Sequence, residues 1–141
     1  RVKYKQKIVK CETIRTEIGS FEGNLKDTST EKIRSNVVRE ILNRTGIEQK
    51  EIDDCIMGNI LSAGQGMNIS RQVAIESGLP VETPAITINR ACGSGVQSVA
   101  FAAQAIKVGD AEAIIAGGVE NMNLAPDHCN NALYRYRRAA S

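Results

Sequence analysis

The chain of 141 residues contains no tryptophan, a single histidine and only five aromatic residues. So few rings cannot form the stacking platform that single-stranded nucleic-acid binders use. No apolar run approaches the roughly 20 residues of a membrane-spanning helix, so we predict none. Basic residues cluster in residues 1–10 and 133–141, which leaves ten basic and 16 acidic residues between them. Basic ends on an acidic body are weak grounds for a nucleic-acid or membrane partner, and we expect neither.

Cysteine spacing argues against the common metal and redox motifs. The four cysteines, Cys11, Cys55, Cys92 and Cys129, are widely separated and contain no Cys-x-x-Cys pair, and the single histidine is His128. A structural zinc site needs four clustered nitrogen or sulfur ligands, so we expect no metal. The printed residues show no signal-peptide pattern, which favours reduced thiols in a cytosolic-type compartment. Each cysteine is then either a buried apolar residue or a reactive thiolate, and its environment decides which.

Hydrophobic patterning predicts an α/β fold. We expect strands at residues 8–12, 55–57, 85–88 and 113–116, and helices at residues 30–45, 70–76 and 94–108. The resulting order, β-α-β-α-β-α-β, is typical of a mostly parallel sheet with helices on both faces, a three-layer α-β-α arrangement. The last of these helices is rich in alanine, valine and isoleucine, and its only charged residue is Lys107. We therefore expect that helix to be buried from most sides.

One segment carries the strongest signal for chemistry. Residues 89–95 (NRACGSG) lie between a predicted strand and the start of the last predicted helix. Cys92 would there face unsatisfied helix N–H groups and the positive end of the helix dipole, which favour the thiolate over the thiol. Gly93 and Gly95 allow a substrate to approach the backbone closely. A nucleophilic cysteine needs these conditions. An unreactive buried cysteine is the alternative, since no base is visible nearby.

The glycines of the same segment also permit a dinucleotide-binding interpretation. Gly93, Gly95 and Ser98 follow the G-x-G-x-x-G spacing, with serine in the third position. The acids about 20 residues further on, Asp110 and Glu112, precede the next predicted strand instead of following it. A partial glycine motif is weak evidence, so this alternative ranks below the nucleophile.

Short motifs stand in order along the chain: residues 15–21 (RTEIGSF), 57–59 (MGN), 64–68 (GQGMN), 71–74 (RQVA), 78–80 (GLP), 89–95 (NRACGSG), 104–106 (QAI), 109–111 (GDA) and 116–123 (AGGVENMN). This series resembles the N-terminal half of the thiolase family, of the acetyl-CoA acetyltransferase type. Departures are Glu17, where the family usually has proline, and Val119, where methionine is common. The resemblance covers about residues 7–126, and an ordered set of motifs is more specific than any single one.

The resemblance implies acyl transfer between coenzyme A thioesters through an acyl-cysteine intermediate. The cysteine matching Cys92 takes up the acyl group and coenzyme A then accepts it; in reverse, two acetyl-CoA condense to acetoacetyl-CoA. The backbone N–H of Cys92 would also contribute to an oxyanion hole. The supporting residues that the resemblance implies are Asn89, Gly93, Gly95, Glu120 and Met122. It further implies acyl-CoA and coenzyme A as substrates, no permanently bound cofactor, and a homodimer or homotetramer.

The resemblance also implies that parts are missing from the 141 residues. The activating histidine and the second catalytic cysteine of thiolases belong to a downstream half, and His128 and Cys129, which follow the last matching motif, do not fit as substitutes. We expect an incomplete, truncated thiolase N-terminal domain at residues 1–126 and a divergent tail at residues 127–141. The alternative function is then a catalytically incompetent fragment that serves only as a folding or dimerisation half. We expect a cytoplasmic location, with the mitochondrial matrix as the other option.

Overall fold

A computed structural model describes residues 7–20, residue 23 and residues 30–120, with the backbone alone for residues 30–34. In chain order the elements are α1 (Thr30–Thr45), a 3₁₀ turn (Gln49–Glu51), β1 (Asp54–Gly58), α2 (Ile69–Glu76), β2 (Ala85–Ile88), α3 (Ser94–Val108) and β3 (Ile114–Gly118). The predicted helices and three of the four predicted strands are confirmed, with bounds that differ by at most two residues. No helix in the described part of the chain has the length and apolar character to cross a membrane.

The sheet places β1 in the centre, parallel to β2 on one side and to β3 on the other. In this register Cys55 stands beside Ala85 and Ile115. The central strand is buried from Cys55 to Gly58, as expected of a parallel strand covered on both faces. Because all three strands run the same way, their carboxyl ends share one edge of the sheet, where the site described below lies.

The two faces of the sheet carry different helices, which confirms the three-layer α-β-α arrangement. On one face α1 and α2 supply the apolar side chains that pack with those of β1 and β3. The members of this core are Val38, Leu42, Ile52, Cys55, Met57, Val73, Ala74, Leu79 and Ile115. On the other face α3 packs against β1 and β3.

Glycine at Gly46 ends α1 as the sequence predicts. Its φ of +69° lies in the left-handed region, and its N–H donates to the carbonyl of Leu42 at 3.0 Å. A residue without Cβ takes that conformation at no steric cost, so the helix stops at Thr45. Gly109 ends α3 in the same way, with φ +86°.

The strand predicted at residues 8–12 is wrong. Residues 7–20 have no regular secondary structure and their side chains are largely exposed, Val9 to 64%. A short apolar run becomes a strand only when a neighbouring strand supplies hydrogen bonds, and neither edge strand of the described sheet pairs with this segment. The described order therefore begins with α1 and contains three strands.

The expectation that α3 is buried from most sides is also wrong. Its buried residues are Ser94, Ser98 and Ala102, all small, and they face the sheet. Val96, Val99, Phe101 and Val108 lie on the exposed surface of the helix, Val96 to 78%. Composition correctly indicates an apolar helix, but the face that meets the sheet is the face of smallest side chains.

A candidate nucleophile turn at the carboxyl edge of the sheet

The segment that joins β2 to α3 is a tight turn held by its own polar groups. The Ser94 hydroxyl accepts from the Arg90 N–H at 2.8 Å and donates to the Ala91 carbonyl at 2.6 Å. The N–H groups of Gly93 and Ser94 donate to the carbonyls of Arg90 and Ala91, both at 3.0 Å. With these four bonds the chain reverses from strand to helix within a few residues.

Ala91, the residue before Cys92, has a strained backbone. Its φ is +46°, and among the described residues it is the only non-glycine with a positive φ. Such a conformation costs on the order of 1 kcal/mol for a residue with a Cβ and persists only where surrounding contacts hold it. Cys92 directly follows this residue and is exposed.

Cys92 lies exposed at the entrance to α3. The helix begins at Ser94, and in the described chain no side chain caps it at Gly93. The start of a helix offers N–H groups and the positive end of the helix dipole to a nearby negative charge. The structure thus brings Cys92, Gly93 and Gly95 together at one helix terminus, as the sequence predicts.

Asn89 links this turn to the loop that follows β1. Its Oδ1 accepts from the Ala91 N–H at 3.0 Å, the local bond of an Asx turn. Its Nδ2 donates to the carbonyl of Ile60 at 3.3 Å. The side chain therefore both shapes the turn before Cys92 and ties it to a segment 29 residues earlier in the sequence.

Two glycines at the ends of strands allow α3 to approach the sheet. A Cβ on Gly58 would lie 2.6 Å from the backbone carbon of Ser94 and 2.7 Å from its Cβ. A Cβ on Gly118 would lie 3.3 Å from the Cα of Gly95. Any side chain at Gly58 would push the first turn of α3, and Cys92 with it, away from the sheet.

Two serines complete this contact. Ser94 and Ser98 stand one helical turn apart, and both are buried against the sheet. The Ser98 hydroxyl lies within hydrogen-bond distance of two carbonyl oxygens, that of Gly95 at 2.6 Å and that of Gly117 at 2.8 Å, and can donate its proton to either. The sequence motifs include Gly58, Ser94 and Ser98, but sequence reasoning missed their part in this contact. The signal that could have identified them is the pairing of glycines at strand ends with serines spaced four apart on a helix.

Glu120 and Asn59 hold the loop after β1 to the end of β3. The Glu120 carboxylate accepts from the N–H groups of Ile60 at 2.8 Å and Leu61 at 3.1 Å. The Asn59 Nδ2 donates to the Val119 carbonyl at 2.8 Å. Asn59 Oδ1 is buried without a hydrogen-bond partner in the described part of the chain. Glu120, a predicted supporting residue, therefore lies in the site region, but its contacts are with the loop rather than with Cys92.

The remaining cysteines have different environments. Cys55 is fully buried in the core, and this burial, together with a smaller effect of the nearby Asp54 carboxylate, raises the pKa of its thiol to about 12. Such a thiol stays protonated and unreactive. Cys11 is exposed in the irregular N-terminal segment. Cys129 lies outside the described residues, as do Met122 and His128.

No metal site is found among residues 7–20, 23 and 30–120, where no three His, Cys, Asp or Glu side chains are grouped closely enough to hold an ion. The loop glycines Gly64 and Gly66 both have positive φ, typical of turns.

Comparison with known proteins identifies relatives across most of the chain. The model of the family "Thiolase, N-terminal domain" matches residues 8–140. This range includes most of the predicted tail, so the domain division at residue 126 stays a prediction. An acetyl-CoA acetyltransferase of Pseudomonas aeruginosa is 46% identical over 121 residues, and that of Syntrophomonas wolfei is 45% identical over 132.

These matches cover 86% and 94% of this chain but 31% and 33% of the relatives, so the chain spans about a third of their length. Among solved structures, a thiolase of Ascaris suum in complex with coenzyme A aligns with a TM-score of 0.78 and 37% identity. That alignment covers 80% of this chain and 30% of the other.

Proposed function

The chain belongs to the thiolase family, and on that premise we propose that it carries the acyl-accepting cysteine of an enzyme that transfers acyl groups between coenzyme A thioesters. The observation that carries the proposal is Cys92, an exposed thiol on a strained turn directly before α3. Two relatives named acetyl-CoA acetyltransferase and a neighbour crystallised with coenzyme A support the substrate class.

In the proposed half-reaction the Cys92 thiolate attacks the carbonyl carbon of an acetyl-CoA thioester. A bond forms between that carbon and Sγ, the bond from the carbon to the coenzyme A sulfur breaks, and coenzyme A leaves with the electron pair. The leaving thiolate takes up the proton that the cysteine gave up, so atoms and charge balance. Negative charge develops on the carbonyl oxygen, where the N–H of Cys92 and the start of α3 can stabilise it.

The second half-reaction passes the acyl group on. In condensation the α-carbon of a second acetyl-CoA, having lost a proton, attacks the carbonyl carbon of the acyl-cysteine. A carbon–carbon bond forms, the bond from that carbonyl carbon to Sγ breaks, and Cys92 leaves as a thiolate that takes up the proton lost by the α-carbon. The product is acetoacetyl-CoA, and thiolysis is the reverse. The resemblance places the activating histidine and the second catalytic cysteine downstream in thiolases. For this chain the proposal therefore concerns the nucleophile and its turn, and the complete cycle is proposed for the natural protein, as is a homodimer or homotetramer.

The test is intact-protein mass spectrometry of the natural protein after incubation with acetyl-CoA. We expect one acetyl group on the wild-type protein and on Cys11→Ser, a matched control that removes another exposed thiol. We expect no acetyl group on Cys92→Ala, and loss of the acetyl group from the wild type when coenzyme A is added. An adduct that persists in Cys92→Ala would refute the assignment. No adduct on any cysteine would favour the incompetent-fragment alternative.

A further inference from the structure

We propose that Glu120 is a positioning residue for Cys92 and acts through the Ile60–Leu61 peptide group and Asn89. The inference rests on the proposed function of Cys92 as the nucleophile. Glu120 lies two residues beyond the end of β3, in a different part of the chain from the β2–α3 turn. The hydrogen bonds between them form a continuous series.

The series begins at the Glu120 carboxylate, which uses both oxygens. Oε2 accepts from the Ile60 N–H at 2.8 Å, and Oε1 accepts from the Leu61 N–H at 3.1 Å. Hydrogen bonds to an ionised acceptor are about twice as strong as those between neutral groups. Glu120 therefore determines both the position and the orientation of the backbone just after β1.

The next step passes through one peptide group. The Leu61 N–H and the Ile60 carbonyl belong to the same peptide, and that carbonyl accepts from Asn89 Nδ2 at 3.3 Å. A peptide whose N–H is bonded to a carboxylate is polarised, which makes its carbonyl a better acceptor. Glu120 thus strengthens the bond that holds the Asn89 side chain.

The last step reaches the residue beside the nucleophile. With its Nδ2 bonded to Ile60, Asn89 presents Oδ1 to the Ala91 N–H at 3.0 Å. Ala91 has the positive φ that surrounding contacts must hold. If Asn89 is released, Ala91 can relax toward a common backbone conformation, and Cys92 then leaves its place at the start of α3.

Loss of the Glu120 carboxylate should leave the fold intact. The ends of β1 and β3 remain joined by the Val119 N–H, which donates to the Gly58 carbonyl at 3.0 Å, and by Asn59, whose Nδ2 donates to the Val119 carbonyl. The substitution Glu120→Gln keeps the size of the side chain but places an NH₂ group against a backbone donor. It therefore tests the series of bonds rather than the packing.

The experiment measures the iodoacetamide alkylation rate of Cys92 by peptide mass spectrometry in the natural protein, with Cys11 as an internal reference. Cys92 is already exposed, so we expect loosening of the turn to change its reactivity through its position rather than through access. We expect Glu120→Gln to slow alkylation of Cys92 by about tenfold and to leave Cys11 unchanged. The control Glu112→Gln, at an exposed turn before β3, should leave both rates unchanged.

A double-mutant cycle separates positioning from independent structural effects. Asn89→Ala should slow Cys92 alkylation as much as Glu120→Gln does, and the double variant should be no slower than the slower single variant, because both break one series of bonds. Multiplicative rate losses, or a Glu120→Gln rate within about twofold of wild type, would overturn the proposal. If Glu120→Gln lowers the unfolding midpoint so far that rates cannot be measured, Glu120→Asp gives the test, with an intermediate rate expected and a wild-type rate contradicting the proposal.

Alkylation uses no coenzyme A, so the two proposals can fail separately. If the double-mutant cycle shows coupling between Glu120 and Asn89 but acetyl-CoA does not acetylate Cys92, only the proposed function is refuted. If Cys92 is acetylated but the two substitutions slow its alkylation independently, only the role of Glu120 is refuted. In the catalytically competent natural protein we also expect Glu120→Gln to lower kcat about tenfold with KM within about twofold of wild type, since positioning acts on the reacting sulfur rather than on binding.

Discussion

The close contact between Gly58 and Ser94 gives the sharpest prediction about the architecture of the site. In Gly58→Ala the new Cβ would lie 2.6 to 2.8 Å from the backbone carbon, Cβ and carbonyl oxygen of Ser94. Carbon atoms pack at about 3.5–4.0 Å, so the first turn of α3 must move by about 1 Å. Overpacking of this kind costs about 1–3 kcal/mol. We therefore expect the free energy of unfolding, measured by urea titration, to fall by about that amount.

The same displacement should reduce reactivity more than stability. A shift of about 1 Å in a reacting group can cost about a hundredfold in rate, and Cys92 lies two residues before Ser94. We expect the rate of Cys92 acetylation by acetyl-CoA, followed by mass spectrometry, to fall by about that factor in Gly58→Ala. The acetylation rate should be reduced even at urea concentrations well below the unfolding midpoint, where the variant is folded.

Gly95→Ala is the matched control, since a Cβ at Gly95 meets no atom within 4 Å. Gly95 is the second residue of α3, and alanine loses less backbone freedom than glycine in a helix, so this variant should be at least as stable as wild type, with a gain of up to about 0.5–1 kcal/mol. The two alanine substitutions should thus differ in their effect on stability, with a loss in Gly58→Ala and none in Gly95→Ala. A Gly58→Ala protein as stable and as rapidly acetylated as wild type would refute the reasoning that α3 rests on that glycine.

Three further predictions concern other parts of the molecule. Burial raises the pKa of the Cys55 thiol to about 12, so this thiol should resist alkylation in the folded protein. The free energy of unfolding should fall as pH rises above about 8.5, because the unfolded thiol ionises there and the folded one does not. Cys55→Ala, measured by urea titration at two pH values, should remove this pH dependence. The N–H groups of Glu112 and Ala113 donate to the Asp53 carboxylate and lower its pKa. The contribution of Asp53 to stability is therefore complete above about pH 4 and is lost as pH falls through the lowered pKa. In Asp53→Asn the free energy of unfolding should depend less on pH in this acid range. When the 141-residue chain is produced alone, the exposed apolar face of α3 should bind a hydrophobic dye and raise its fluorescence, and Val99→Asp should weaken this signal. A monomer that binds no dye and unfolds in a sharp, reversible thermal transition would contradict the prediction.

The elements that sequence predicts well are those with strong local end signals. Gly46 and Gly109 end α1 and α3 in the left-handed conformation, and Pro84 directly precedes β2. These boundaries can therefore be predicted from the local sequence. The strand expected at residues 8–12 failed because pairing depends on a neighbour that a local pattern does not contain. Similarly, the composition of α3 indicates an apolar helix but does not say which face meets the sheet.

In the candidate site, too, the residues with a local sequence signal could be predicted and those brought together by the fold could not. The turn from Asn89 to Gly95 is contiguous, so its residue types could be predicted as a nucleophile segment. Gly58 and Ser98 became part of the site only when three strands came together at one edge. Glu120 was expected from family resemblance alone, and its hydrogen bonds to Ile60 and Leu61 could not be predicted from a separation of about 60 residues.

The most direct test of the account is a peptide map of the natural protein, quenched in acid after brief exposure to acetyl-CoA. The account predicts one acetyl thioester, on the peptide that contains Cys92, with Cys11 and Cys55 unmodified. The modified fraction should fall when Gly58→Ala displaces the turn. An acetyl group found on another cysteine, or spread over the exposed thiols in proportion to their exposure, would contradict it.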